Sequence, residues 1–487
     1  MLQMKTKQPQ VSVFFYADPF QPIRNQGISR LLVHQLSGLA AAQGHIEILT
    51  AKWNIKTIKD IARDQNVRME GVKFNSPPVG LGVLAIFFFE RFQFRANQGT
   101  VERNRNLSLF TNFLERAIFA ISVVALINRE SIEYGICGLT LSMVLHFRKR
   151  ILSGVLRRVH GQFSKQYFQI VSRHKNKLLA IEKKMRCVWL VPSPHQTLIR
   201  SFENPVALII PDIVGIEYPF LFGANDEDTS HFEETLIDLS STINVAELVI
   251  CYSNSVKNKQ IIRLCSFSAK EILVIPNAKT IPSYQTSKSR NERSGLSTDG
   301  YFFYPTQLRS YKNLETLIEA LYIYNKFQSQ KFRPTAKLLF TGAGESSSEL
   351  QSLIKDYGLT EQIEFTGSIN GAELKEFYRG SIAAISPSWF EGGFSFFPIS
   401  EAWSENTPCI FSLTDANIEF LGLEERRYTF RPGFAFDLAQ KMLIVTSDRE
   451  AMLRHQQDEL SHIFDRTWVN VAKEYLKAAG QLFESVS

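Results

Sequence analysis

The sequence predicts an α/β protein made of two doubly wound, Rossmann-like domains that face each other across a cleft. Three observations carry this. From Tyr301 onward, short apolar runs alternate regularly with amphipathic stretches, the pattern of a parallel sheet covered by helices on both faces. The same rhythm, less regular, opens the chain and returns after residue 187. Between these halves lies SYQTSKSRNERSGLSTDG (283–300), polar and without apolar period, which reads as a linker. A chain of 487 residues also favours two or more domains.

Taken in order, VSVFFYA (11–17) is the first strand, followed by a loop ending at Gly27 and a helical pattern to about Gln43. A glycine that closes a loop and opens a helix stands where a doubly wound sheet binds phosphate. HIEILTA (45–51) and VRMEGVKF (68–75) are the next strands, with a helix at 55–66 between them. Residues 76–185 break the rhythm and read as a helical insertion. They hold a Phe-rich run and helices near 106–128, 141–158 and 164–184, the last two rich in Lys and Arg. His160 lies between those two and is a candidate substrate contact. Strands resume at 187–193, 206–212, 247–253 and 271–278. In the second half, strands fall at 301–305, 336–341, 363–366, 382–386, 409–412 and 428–430, with helices between. The expected domains are therefore 1–285, a linker at 286–300, 301–466, and a C-terminal amphipathic helix at 467–487 that packs back on the first domain.

Composition narrows the function. Hydrophobic content of 44% and charged content of 21% are those of a globular protein. A net charge of +7 favours an anionic partner. Nucleic acid rests on that charge alone, with no basic-aromatic motif behind it. Five scattered cysteines without a CxxC pair argue for reduced thiols in a cytoplasm, and against a zinc site. No secretory signal is visible, and no apolar run reaches the roughly 20 residues of a membrane span. Apolar helix beside clustered Lys and Arg in 76–185 is the pattern of binding to an anionic membrane face.

The chemistry concentrates in ISPSWFEGGFSFFPISEAWSENTPCIF (385–411), a strand, a glycine turn and a helix expected to begin near Pro398. Gly392 and Gly393 let backbone N–H groups approach an anion, and the helix end points at the same loop. Glu391 and Glu401 flank it, and a carboxylate suits a sugar diol because it accepts two hydrogen bonds side by side. Arg309 and Lys312 sit before a helix start, where cations oppose the dipole and need another reason to be present. A pyrophosphate leaving group supplies one.

Residues 301–412 resemble the catalytic domain of family-four retaining glycosyltransferases of the GT-B fold. The segments are YFFYPTQLRSYKNLETLIEAL, LLFTGAG, IEFTGSINGAELKEFYRGSIAAISPSWFEGG and SEAWSENTPCIFS, in the family's order. IIPDIVGIEYPFLF (209–222), VICYSNSVKN, VIPNA and Gly27 are similar to first-domain motifs. The resemblance implies a nucleotide-diphosphate-sugar donor in the second domain and a glycan or lipid-linked acceptor on the first. It implies that Lys312, with Arg309, holds the donor pyrophosphate, and that Gln307 stands where the family has an arginine. Gly392, Gly393 and Phe394 would offer backbone N–H groups, Glu391 would touch the transferred sugar, and Glu401 the ribose. Gly342 lies on a neighbouring donor loop, Ser368 and Ile369 would hold the base, and Asp212 is the remnant of a first-domain His-Asp pair whose histidine is Pro211 here. No metal or other cofactor is implied. The nine residues between Glu391 and Glu401 are two more than the family usually has. The expected function is retaining hexosyl transfer in surface polysaccharide synthesis, in the cytoplasm or on the inner membrane face. The alternative is a non-catalytic protein of the same fold that binds sugar nucleotide or glycan.

Overall fold

The computed structural model describes residues 10–17, 27–78, 171–219, 226–264, 271–279, 300–306, 309–341, 348–367, 369, 371–424 and 426–486. His160, Gln307, Gly342, Ser368 and most of the insertion and linker lie outside the described residues.

Two parallel sheets form. In the first the strands are β1 (Val11–Phe15), β2 (Ile46–Thr50), β3 (Val72–Asn75), β4 (Val188–Val191), β5 (Val206–Ile210), β6 (Leu248–Cys251) and β7 (Glu271–Val274), in the order 3-2-1-4-5-6-7. The second holds β8 (Tyr301–Pro305), β9 (Lys337–Thr341), β10 (Ile363–Phe365), β11 (Ala383–Ser386), β12 (Cys409–Ser412) and β13 (Thr429–Phe430), in the order 10-9-8-11-12-13. Central strands such as VSVFF, VALII and LVIC are buried along their whole length, as continuous apolar runs must be when helices cover both faces. Each sheet reverses its winding once, beside β1 and β4 in the first and β8 and β11 in the second. The crevice at such a switch point, beyond the carboxyl ends of the strands, is where ligands bind in this architecture.

Prolines set several boundaries. The strands expected over 187–193 and 206–212 stop at Val191 and Ile210, because Pro192 and Pro211 have no N–H for the ladder. The helix expected near Pro398 instead spans Phe396–Ser404. Pro398 is tolerated there because the first N–H groups of a helix have no intrahelical acceptor. A short helix at Asp415–Leu421, with Thr414 accepting from the Asn417 N–H, was not expected.

The last helix, Trp468–Val486, lies along helix Gly27–Gln43 of the first domain. Trp468, Val471, Ala472, Tyr475, Ala478 and Ala479 join one apolar cluster with β1, β2 and β4. The chain thus crosses between domains a second time after residue 464.

Candidate functional site

A cavity of about 660 Å³ opens between the carboxyl ends of the two sheets. The second domain contributes Arg309, Lys312, Glu391, Gly392, Gly393, Phe394 and Glu401; the first contributes Arg30, Asp212, Tyr252 and Asn277 among others. Sequence-expected residues from Asp212 to Glu401 therefore share one space.

Lys312 ends a single turn, Ser310–Lys312, after which Asn313 adopts a left-handed conformation (φ 56°) and the long helix Leu314–Gln330 begins. Asn313 accepts that conformation more readily than most side chains, and its amide donates to the Pro387 carbonyl at 3.0 Å. The Trp389 N–H donates to the Tyr311 carbonyl at 3.0 Å, and the Ser412 hydroxyl to the Ser388 carbonyl at 2.6 Å. The loop after β11 is thereby fastened to the loop after β8 and to the end of β12. Lys312 Nζ donates to Glu391 Oε1 at 2.9 Å. Burial opposes charge on Lys312, but the Glu391 carboxylate outweighs it and holds the ammonium above the ordinary lysine range. The site keeps a fixed cation, with Arg309 beside it at the cavity wall.

Glu401 is buried in helix Phe396–Ser404. Arg30 of the first domain pairs with its Oε1, and the Tyr378 hydroxyl donates to its Oε2 at 2.8 Å. Tyr378 and Arg30 carried no sequence signal; both are recognised only through this contact. The Arg30 guanidinium also lies 5.0 Å from the centre of the Phe397 ring.

The two glycines are needed for a reason the sequence did not give. A Cβ on Gly392 would stand 2.1 Å from the Pro211 carbonyl oxygen, and one on Gly393 would stand 2.9 Å from Asn277 Oδ1. Their missing side chains let the two domains touch. The Ser253 hydroxyl donates to the Gly392 carbonyl at 2.9 Å, and Phe390 is buried among first-domain side chains that include Ile213 and Val214. Asp212 lies beside this contact. Burial, and then the Glu391 carboxylate, push its pKa up to about 6 against the pull of Lys312 and Arg309.

Gly27 opens helix Gly27–Gln43, whose next turn carries Arg30 to the cavity. Phe394 lines the cavity and packs its ring into the second-domain core against Phe396 and Phe411. Ile369 packs against the same core and does not line the cavity. Among the described residues, His195, four residues past the end of β4, lines the cavity, and desolvation there lowers its pKa. Nothing in its VPSPHQT surroundings singles it out, because only the pairing of β4 with β5 brings it near Asp212. Among the described residues, no cluster of three or more His, Cys, Asp or Glu side chains could hold a metal ion.

Comparison with known proteins now bears on this geometry. Residues 286–460 match the family model for glycosyl transferases group 1. That matching segment holds Arg309, Lys312, Glu391 and Glu401. An uncharacterized glycosyltransferase of Methanocaldococcus jannaschii is 27% identical over 145 residues, 29% of this chain. The match spans 36% of that relative's length. A sucrose-phosphate synthase from Thermosynechococcus elongatus superposes with a TM-score of 0.54 at 16% identity, covering 98% of this chain and 100% of that one. A glycosyltransferase from Rickettsia africae superposes with a TM-score of 0.52 at 12% identity, covering 98% of each. At such identities the likeness establishes the fold, which is GT-B.

Proposed function

We propose that this chain is a retaining glycosyltransferase. It would move a hexose from a nucleotide-diphosphate sugar to a glycan or lipid-linked acceptor in surface polysaccharide synthesis. The observation that carries this is the joint placement of Lys312, Arg309, Glu391 and Glu401 around one cavity between two Rossmann-like sheets. The match of 286–460 to glycosyl transferases group 1 supports it.

In this reading the pyrophosphate takes Lys312 Nζ from Glu391 and adds Arg309, so two fixed cations meet the charge that grows as the C1–O bond to phosphate breaks. They do this without a metal ion. The bond from the acceptor oxygen to C1 forms on the face the phosphate leaves, and a phosphate oxygen takes the acceptor's proton. Glu391, freed from Lys312, faces the positive charge developing on the sugar. Glu401, oriented by Tyr378, accepts from the ribose hydroxyls. Asp212 and the first-domain wall hold the acceptor. The work would take place in the cytoplasm at the inner membrane face; among the described residues, no helix is long and apolar enough to cross a membrane.

The non-catalytic reading is favoured by one observation: Lys312 and Glu401 both already have partners within the chain. Kinetics separate the two. A donor panel is assayed for turnover with and without simple sugar acceptors, in a chelator, and the product anomer is read by NMR. Glu391→Gln should lower kcat, because its charge matters most in the transition state. Glu401→Gln should raise KM with kcat little changed, because ribose contacts are the same in ground and transition states. Absence of turnover with any donor that binds would favour the non-catalytic reading.

A further inference from the structure

One residue outside the cleft carries a cost that no contact among the described residues offsets. Phe332 is 99% exposed and has φ of 54°. It follows the end of helix Leu314–Gln330, where the Phe332 N–H donates to the Ser329 carbonyl and the Arg333 N–H to the Gln328 carbonyl. That pattern closes a helix with a left-handed residue, a position that suits glycine and strains a phenylalanine. The same residue therefore carries backbone strain and a fully hydrated aromatic ring.

The turn that presents it is rigid. The Asn325 side chain donates to the Ala336 carbonyl at 3.0 Å and accepts from the Ala336 N–H at 2.8 Å. Gln328 is buried and donates to the Tyr324 hydroxyl at 2.9 Å. Pro334 stiffens the turn between these anchors. Its charge is of one sign: residues 320–337 hold Lys326, Lys331, Arg333 and Lys337 and no carboxylate. Among the described residues, Lys326, Lys331 and Arg333 have no ion-pair partner, and all three are exposed. Lys331 Nζ lies 4.3 Å from the centre of the ring of Phe327, itself 39% exposed.

We propose that the turn at 331–336 is a docking surface for an anionic lipid bilayer, with Phe332 as the inserted side chain. A single projecting ring with cations around its base fits a deformable surface. The ring enters the acyl boundary while the Lys and Arg heads stay at the level of the lipid phosphates. The turn precedes β9, so it lies at the opposite end of the second sheet from the cleft, and a bilayer seated there leaves the cleft open. This inference stands apart from the reaction assigned to the cleft.

The test uses the full chain and vesicles of phosphatidylcholine with and without phosphatidylglycerol. Wild type should co-sediment with the anionic vesicles at low salt and be released at high salt. Phe332→Gly should raise the melting temperature by roughly 2 °C, because glycine relieves the strain. It should also weaken vesicle binding on the order of tenfold. Lys331→Gln with Arg333→Gln should weaken it at least as much. Phe332→Trp should keep binding and shift its fluorescence to the blue on anionic vesicles. The proposal is overturned if wild type binds no better to anionic than to neutral vesicles, or if Phe332→Gly binds like wild type. A Phe332-dependent dimer without lipid, or Phe332-dependent binding to RNA but not vesicles, would also overturn it.

Discussion

Asp212 is the residue whose chemistry depends most on the domains being together. Its usual pKa of 3.8 rises to about 6 through burial and the nearness of Glu391. The folded chain therefore keeps a proton that the unfolded chain has already released. That contribution is fully present below about pH 4 and is lost as pH rises through about 6. Denaturant unfolding of wild type and Asp212→Asn, compared between about pH 4 and pH 7, should show wild type losing on the order of 2 kcal/mol relative to the variant. Parallel curves would mean that Asp212 is not desolvated against Glu391. At this scale the sequence was most legible where residue type and position coincide, as with Lys312 and Glu391 in loops beyond strand ends and Glu401 in the helix that follows. It was least legible for Arg30, Tyr378 and His195. Their roles depend on which strand ends and helices become neighbours, and a single sequence does not state that.

The loop after β11 is the element on which the site turns. Its two extra residues raised the question of where Glu391 points, and Phe390 gives the physical answer. With its ring seated beside Ile213, Val214 and Tyr218, it pins the loop to the first domain and directs Glu391 towards Lys312. Phe390→Ala should cost about 3 kcal/mol of contact between loop and first domain. X-ray scattering should then show a larger radius of gyration, and donor binding should weaken. An unchanged scattering profile would show that other contacts hold the cleft closed. The strands of the second half were legible because most are short buried runs between turn residues, with amphipathic helices between them. In the first half the strands expected to reach 193 and 212 stop at Val191 and Ile210, where Pro192 and Pro211 lack the N–H for the ladder.

Over the whole molecule, several separate contacts join the domains. The Glu419 carboxylate accepts from the Asn254 and Ser255 N–H groups at 2.8 and 2.6 Å, seating a negative charge on a helix start across the cleft. Lys259 pairs with Asp415, Arg30 with Glu401, and Arg466 donates to the Pro276 carbonyl at 3.0 Å. The two-sheet plan was readable from apolar rhythm and the polar linker. The closed seam was not, because it is made of single residues far apart in sequence. In the proposed reading this closed cleft is a nucleotide-diphosphate-sugar site in which Lys312 meets the pyrophosphate. Calorimetric titration with a panel of such donors, in a chelator, tests it directly. At least one donor should bind wild type, and Lys312→Ala should lose on the order of 2–4 kcal/mol of binding to it with no loss of folded structure by circular dichroism. Equal binding by both proteins, or no donor bound by wild type, would mean that Lys312 does not hold a donor pyrophosphate in this cleft.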